Sequence, residues 1–271
     1  MMEPVQSKAF SRAGLIVLLA LLGVRFTLAA ALAALDPATM AQANRLFFVV
    51  TYVVTAGLIW LERRRLPDFH LDGLGLLLFL LAPAVGLFAW KTGLPGVETG
   101  PPVGLVNLGM AGLLVITLLV GGFRPPRPAP RVFGWLIIGA LAGFGLGLLQ
   151  GAMAWSMGLH GRVALIPLAV VARLSDELAS AVVSEEPVFR GFLWGYLRKA
   201  GLSDFQTLLV QAALFWVAHF FQASKGFGVG FFLLIPVGSL VFGFLAWRAR
   251  SISASMAAHS VVNAIGRLGG L

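Results

Sequence analysis

Glu185-Glu186-Pro187-Val188-Phe189-Arg190 puts two carboxylates and a guanidinium within one short stretch, in a half of the chain where most other residues are apolar. Insertion scales charge roughly 2.5 to 3.5 kcal/mol for each ionised side chain at mid-bilayer, so a chain that keeps three has paired them or put them to work. On a helix, Glu186 and Arg190 stand at i and i+4 with the acid N-terminal, the better orientation for an ion pair. Glu185, about 100° round the helix, has no partner there, and an unpaired carboxylate in a low-dielectric cavity is suited to act as a general base. The alternative is that the three charges form a buried network that only locks helices together. Two further groups weigh against that. Phe215-Trp216-Val217-Ala218-His219 carries a histidine deep in a later apolar run, and His259-Ser260-Val261-Val262-Asn263 sets a histidine and an asparagine on one face of the last run. A lone histidine in a membrane helix is more often a packing residue, but depth argues against coincidence. Counted at about 1.5 Å per residue from the charged ends of their runs, Glu185, His219 and His259 lie roughly 20, 21 and 13 Å in. His70 and His160 fall at junctions and read as ordinary.

The elements that position these residues follow from composition. With 59% hydrophobic residues, 11% charged residues and mean hydropathy +0.91, the chain reads as an integral membrane protein, not a soluble domain. Its 271 residues suffice for about eight or nine spans of roughly 20 residues, and its 33 glycines suit close helix approach. The expected fold class is all-α: a polytopic transmembrane helical bundle with a polar intramembrane cavity. The absence of cysteine excludes disulfides, thiol nucleophiles and thiolate metal ligands.

Nine apolar runs are expected to cross: Gly14 to Leu35, Leu46 to Leu61, Gly73 to Trp90, Val103 to Phe123, Val132 to Leu159, Val163 to Leu197, Phe205 to Gln222, Gly226 to Trp247 and Ile252 to Leu268. One set of junctions carries Lys8, Arg12, Arg63 to Arg65, Arg124, Arg127, Arg131, Arg198, Lys199, Arg248 and Arg250. The opposite set carries only Arg45, Lys91, Arg162, Lys225 and Arg267. The positive-inside rule then places the N-terminus in the cytoplasm, in what would be a bacterial or archaeal inner membrane. The net charge of +9 is thus topological, with membrane lipid and not nucleic acid as its partner. Lys8 and Arg12 ahead of an apolar run ending in small residues, Ala31 to Ala34, resemble a signal sequence, but Arg25 interrupts the run and a retained first helix is expected.

The segment Arg124-Pro125-Pro126-Arg127-Pro128-Ala129-Pro130-Arg131 is too proline-rich for helix and reads as a stiff cytoplasmic linker. It divides the chain into an N-terminal accessory transmembrane region (1–123), the linker (124–131) and a transmembrane core (132–271) that holds nearly all the embedded ionisable residues. The sixth run is too long: its 35 residues would make a helix of about 52 Å against a hydrocarbon core of about 30 Å. It must tilt steeply, kink at Pro187, or break there. In a break, Ser184 would be an N-cap and Glu185 and Glu186 would sit on free N–H groups at a new helix N-terminus.

Three spaced motifs, Glu185-Glu186-x-x-x-Arg190, Phe215-x-x-x-His219 and His259-x-x-x-Asn263, in this order on separate apolar runs, resemble the signature of the CAAX prenyl protease and bacteriocin-processing family of intramembrane proteases. Each is weak alone and the ordered set is strong. The resemblance covers roughly Val132 to Leu271, leaving the first four spans outside; Arg173, Asp176 and Glu177, which could pair with one another or with Arg25, are more polar than the pattern needs. It implies an intramembrane endopeptidase acting on a membrane-associated peptide or protein, prenylated in some members, with 132–271 as the catalytic core. The residue types fit that chemistry. Glu185 assisted by His219 would deprotonate a water, His259 and Asn263 would donate to the oxyanion, and Glu186 and Arg190 would position the first glutamate. No cofactor is firmly implied, although Glu185, His219 and His259 could ligate zinc. The motifs of other intramembrane or serine hydrolases, His-Glu-x-x-His, Gly-x-Gly-Asp and Gly-x-Ser-x-Gly, are missing. Two other classes use similar residues: a proton-coupled transporter, which also places Glu, His and Arg at mid-membrane, and a catalytically silent scaffold.

Overall fold

The computed structural model describes residues 11–32, 35–94, 97, 99–158, 167–224 and 228–268; Lys8, Ala33, Ala34, His160, Arg162 and Lys225 lie outside the described residues. The described chain folds into helices joined by short connections. They are α1 (Arg12–Leu32), α2 (Pro37–Leu61), a 3-10 helix (Arg63–Phe69), α3 (Gly73–Lys91), α4 (Val103–Val120) and α5 (Arg131–Ser156). A continuous helical stretch follows, made of α6 (Pro167–Glu177), a π-helical turn (Leu178–Val182), α7 (Val183–Glu186), a second π-helical segment (Pro187–Leu193) and α8 (Trp194–Lys199). The chain ends with α9 (Asp204–Val217), α10 (Phe220–Ser224), a third π-helical turn (Gly230–Leu234), α11 (Ile235–Ala249) and α12 (Ile252–Leu268). Residues 123–129 are not helical, as their prolines require.

Six helices among the described residues are long and apolar enough to cross a membrane: Arg12–Ala31, Ala38–Leu61, Gly73–Lys91, Val103–Val120, Arg131–Ser156 and Gly230–Ala249. The three expected crossings that fall short are the ones bearing the motifs. The sixth is loaded with charge, α9 stops at Val217 just before His219, and α12 has 17 residues. The apolar helices instead turn Leu119, Val120, Ile137, Leu141 and Phe232 outward, as a lipid-facing shell does.

Local chemistry explains where the helices begin. The second starts at Pro37, well before Leu46, because Asp36 accepts from the amides of Ala38 and Thr39 and Pro37 occupies the first turn. Ser203 and Gln206 form a reciprocal capping box at the start of α9. Inside, Tyr52 stacks on Phe79 with centroids 4.4 Å apart and donates its hydroxyl to the Phe79 carbonyl, while Phe69 packs on Phe192.

Two features set the active face. Glycines Gly139, Gly143 and Gly147 recur every fourth residue on α5 and bring its backbone against α12; a Cβ at Gly139 or Gly143 would collide with the carbonyl of Ala254 or Ala258, and one at Gly147 with Ile265. The second is the sixth stretch, which neither breaks nor gains an N-cap. Ser184 donates its hydroxyl back to the Ala181 carbonyl at 2.8 Å, and Pro187 keeps helical angles (φ −62°, ψ −35°). The free N–H groups that a break would have placed beneath Glu185 and Glu186 are therefore not formed. The wider i→i+5 turns that start at Pro187 accommodate its ring and its missing N–H.

Candidate active site

Glu185 and Glu186 lie on the single α-helical turn between the two π-helical segments, both buried. The sequence spacing of Glu186 and Arg190 gives the expected pair, with Arg190 Nη1 3.4 Å from Glu186 Oε1. Arg190 is fully buried; it also donates to the Ser239 hydroxyl on α11 at 3.1 Å and lies 4.1 Å over the ring of Phe215. Glu186 has a second partner, the Nδ1 of His259, at 2.7 Å. An ionised carboxylate can only accept, so its bond to Glu186 places the proton on Nδ1 of His259.

His219 does not sit within a helix. Its expected span ends at Val217, and the histidine occupies the turn between α9 and α10. Its backbone amide donates to the Trp216 carbonyl, and its Nδ1 lies 2.7 Å from the Phe215 carbonyl. A carbonyl only accepts, so Nδ1 carries the proton here too. Both imidazoles thus present Nε2 toward Glu185: His219 Nε2 is 3.6 Å from Oε1 and His259 Nε2 is 3.8 Å from Oε2. His259 is held in that pose by stacking on Phe242, centroids 4.9 Å apart.

Glu185, which its own helix leaves unpartnered, finds a partner in Arg25 of α1, whose Nη2 donates to Glu185 Oε1. Asn263 lies on the same face of α12 as His259, but its Nδ2 donates to Glu177 Oε2 at 2.9 Å, and Arg267 closes on the other oxygen of Glu177 at 2.7 Å. Arg173 and Asp176 pair with each other at 4.0 Å, and Asp176 also accepts from the Thr99 hydroxyl at 2.8 Å. Four of the expected residues, Glu185, His219, His259 and Asn263, line one cavity of about 320 Å³ together with Arg25, Phe47, Gln150 and Arg267. Glu186 and Arg190 stand behind its wall. Arg25, Glu177 and Ser239 were not among the expected site residues. The signal for Arg25 was present, since a charge inside an apolar run needs a buried partner. For Ser239 there was none.

Zinc would have to be held by Glu185, His219 and His259, but Arg25 already occupies Glu185 Oε1, and among the described residues no group of three or more His, Cys, Asp or Glu side chains is arranged to hold a metal ion.

Residues 166–265, which contain all three motifs, match the model of the Type II CAAX prenyl endopeptidase Rce1-like family. Over that segment the chain is similar to the CAAX-protease family. Its six apolar helices long enough to cross a membrane, among the described residues, make it an integral membrane protein. No curated protein and no solved structure matches. The matched segment supplies Glu185, Glu186, Arg190, His219, His259 and Asn263 to the cavity wall and its backing; Arg25 and Arg267 come from outside it.

Proposed function

We propose that this protein is an intramembrane endopeptidase that hydrolyses a peptide bond of a membrane-associated or lipidated substrate, with Glu185 as the base that activates water and His219 as its assistant. One observation carries the reading: the Glu185 carboxylate faces two imidazole Nε2 atoms, at 3.6 and 3.8 Å, on the wall of a cavity large enough for a peptide segment. Those separations are too long for direct hydrogen bonds. A water in front of Glu185 and His219 can donate one O–H to the carboxylate and the other to the bare Nε2.

In the hydrolysis, Glu185 takes a proton from that water as its oxygen attacks the scissile carbonyl carbon, and the carbonyl electron pair moves onto oxygen. Asn263 has two N–H bonds on its amide and spends one on Glu177, which leaves the second for the oxyanion. His259 adds an Nε2–H donor when its ring is protonated, with the Glu186 carboxylate on Nδ1 offsetting the charge. The C–N bond then breaks as the proton held by Glu185 passes to the leaving nitrogen. The proposed steps route through no metal, and chelation tests that.

The test is cleavage of an internally quenched, prenylated peptide by the protein in liposomes. Glu185→Gln and His219→Ala should lower the rate by about 10² to 10⁴-fold while the purified protein stays folded, and exhaustive chelation should leave the wild-type rate intact. Cleavage by Glu185→Gln at the wild-type rate would sink the mechanism.

A further inference from the structure

Arg25 lies in α1, far in sequence from the matched segment at 166–265, yet its guanidinium is the group in direct contact with Glu185. It is 8% exposed, sits 5.4 Å from each of the Phe47 and Phe189 ring centroids, and lines the cavity. A cation held between two aromatic faces in a water-poor site has a fixed position, not a floppy one. What it holds is specific. Arg25 binds Oε1 of Glu185, while Oε2, also buried, accepts no hydrogen bond among the described residues and faces His259 Nε2. The two oxygens of one carboxylate are thereby made unequal.

We infer that Arg25 is a positioning residue of the active site: it pins Oε1 of Glu185 and leaves Oε2 as the oxygen that takes the proton from water. This rests on the proposed peptidase reading. A carboxylate held at one oxygen by a guanidinium cannot rotate about its last bond without losing a charge-assisted hydrogen bond, so Oε2 keeps its place facing His259 Nε2, a residue of the cavity wall. The arrangement also makes the first helix part of the catalytic apparatus. Arg25, Leu28 and Ala29 of α1 and Asn44, Phe47 and Phe48 of α2 line the cavity together with His259 and Asn263.

The test compares Arg25→Met, Arg25→Lys and Arg25→Ala with Glu185→Gln in the full-length protein in liposomes, using the same quenched prenylated peptide. Arg25→Met should lower kcat by about tenfold or more with KM changed by less than about threefold, because the residue orients the base and does not bind substrate. Arg25→Lys, which keeps the cation, should recover most of that loss, and added guanidinium chloride at millimolar concentration should raise the rate of Arg25→Ala while leaving Glu185→Gln inactive. A purely structural role would show none of this selectivity. Arg25→Met turning over at the wild-type kcat overturns the proposal; so does a rate loss shared equally by Arg25→Lys, unrelieved by guanidinium and matched by a fall in unfolding temperature. The two readings fail separately: activity in Glu185→Gln removes the base itself, whereas an inactive Glu185→Gln beside a fully active Arg25→Met removes only Arg25.

Discussion

Glu186 divides one carboxylate oxygen between Arg190 at 3.4 Å and His259 Nδ1 at 2.7 Å, so a single residue joins the helical stretch around α7 to α12. Arg190 extends the join to α11 through Ser239 and lies on the ring of Phe215 in α9. Taking away one partner of such a buried pair leaves the other charge without compensation, typically at a cost of about 3 to 5 kcal/mol. Arg190→Ala should accordingly lower the unfolding temperature in detergent as well as the rate of cleavage. A rate loss with full thermal stability would mean that Arg190 acts on the substrate directly. At this scale the sequence was legible where partners share a helix: the i, i+4 spacing names Glu186 and Arg190. It was silent where partners come from different helices, because the facing of one helix on another depends on packing that no local pattern encodes. That is why Ser239 was not foreseen and the partner of Arg25 stayed open.

Among the elements, the glycine face of α5 decides how closely α12 approaches, and α12 carries His259 and Asn263. Gly143→Ala would drive a methyl into the Ala258 carbonyl, an overpacking expected to cost about 1 to 3 kcal/mol and to slow cleavage by displacing both residues. Gly145→Ala is the control two residues away. A Cβ there meets nothing, so the change should be neutral or mildly stabilising, as alanine is the better helix former. Equal unfolding temperatures for the two variants would remove the seam from the explanation. Helix positions were well marked by apolar runs, with α3 and α12 starting at the expected residues Gly73 and Ile252. Where the pattern was less legible the causes are physical. The sequence leaves a kink and a break open at Ser184 and Pro187, and packing on every side keeps the backbone helical while the π-helical turns take up the proline. His219 lies in a run that stays apolar through Phe221, and hydropathy cannot register the turn that aims its ring at Glu185.

For the whole molecule, the division into an accessory region at 1–123, a linker at 124–131 and a catalytic core at 132–271 is proposed on the proline segment and the motif positions, with the added condition that α1 and α2 wall the cavity. Overall class was the most legible property, since composition alone requires lipid around most of the chain. The crossing count was less so, because the helices that build the site are the ones whose polarity or length departs from a lipid-facing span. Lengths differ among the outer helices as well. α4 has 18 residues and α5 has 26, about 27 and 39 Å of helix, in a hydrocarbon layer of about 30 Å. The longer helix relieves that mismatch by leaning, and the lean changes with the length of the surrounding acyl chains. Because glycines weld α5 to α12, bilayer thickness becomes an input to the distance between His259 and Glu185. In vesicles of graded acyl length, cleavage should pass through a maximum and fall on both sides; a flat profile would mean that the site is insulated from the lipid that surrounds it.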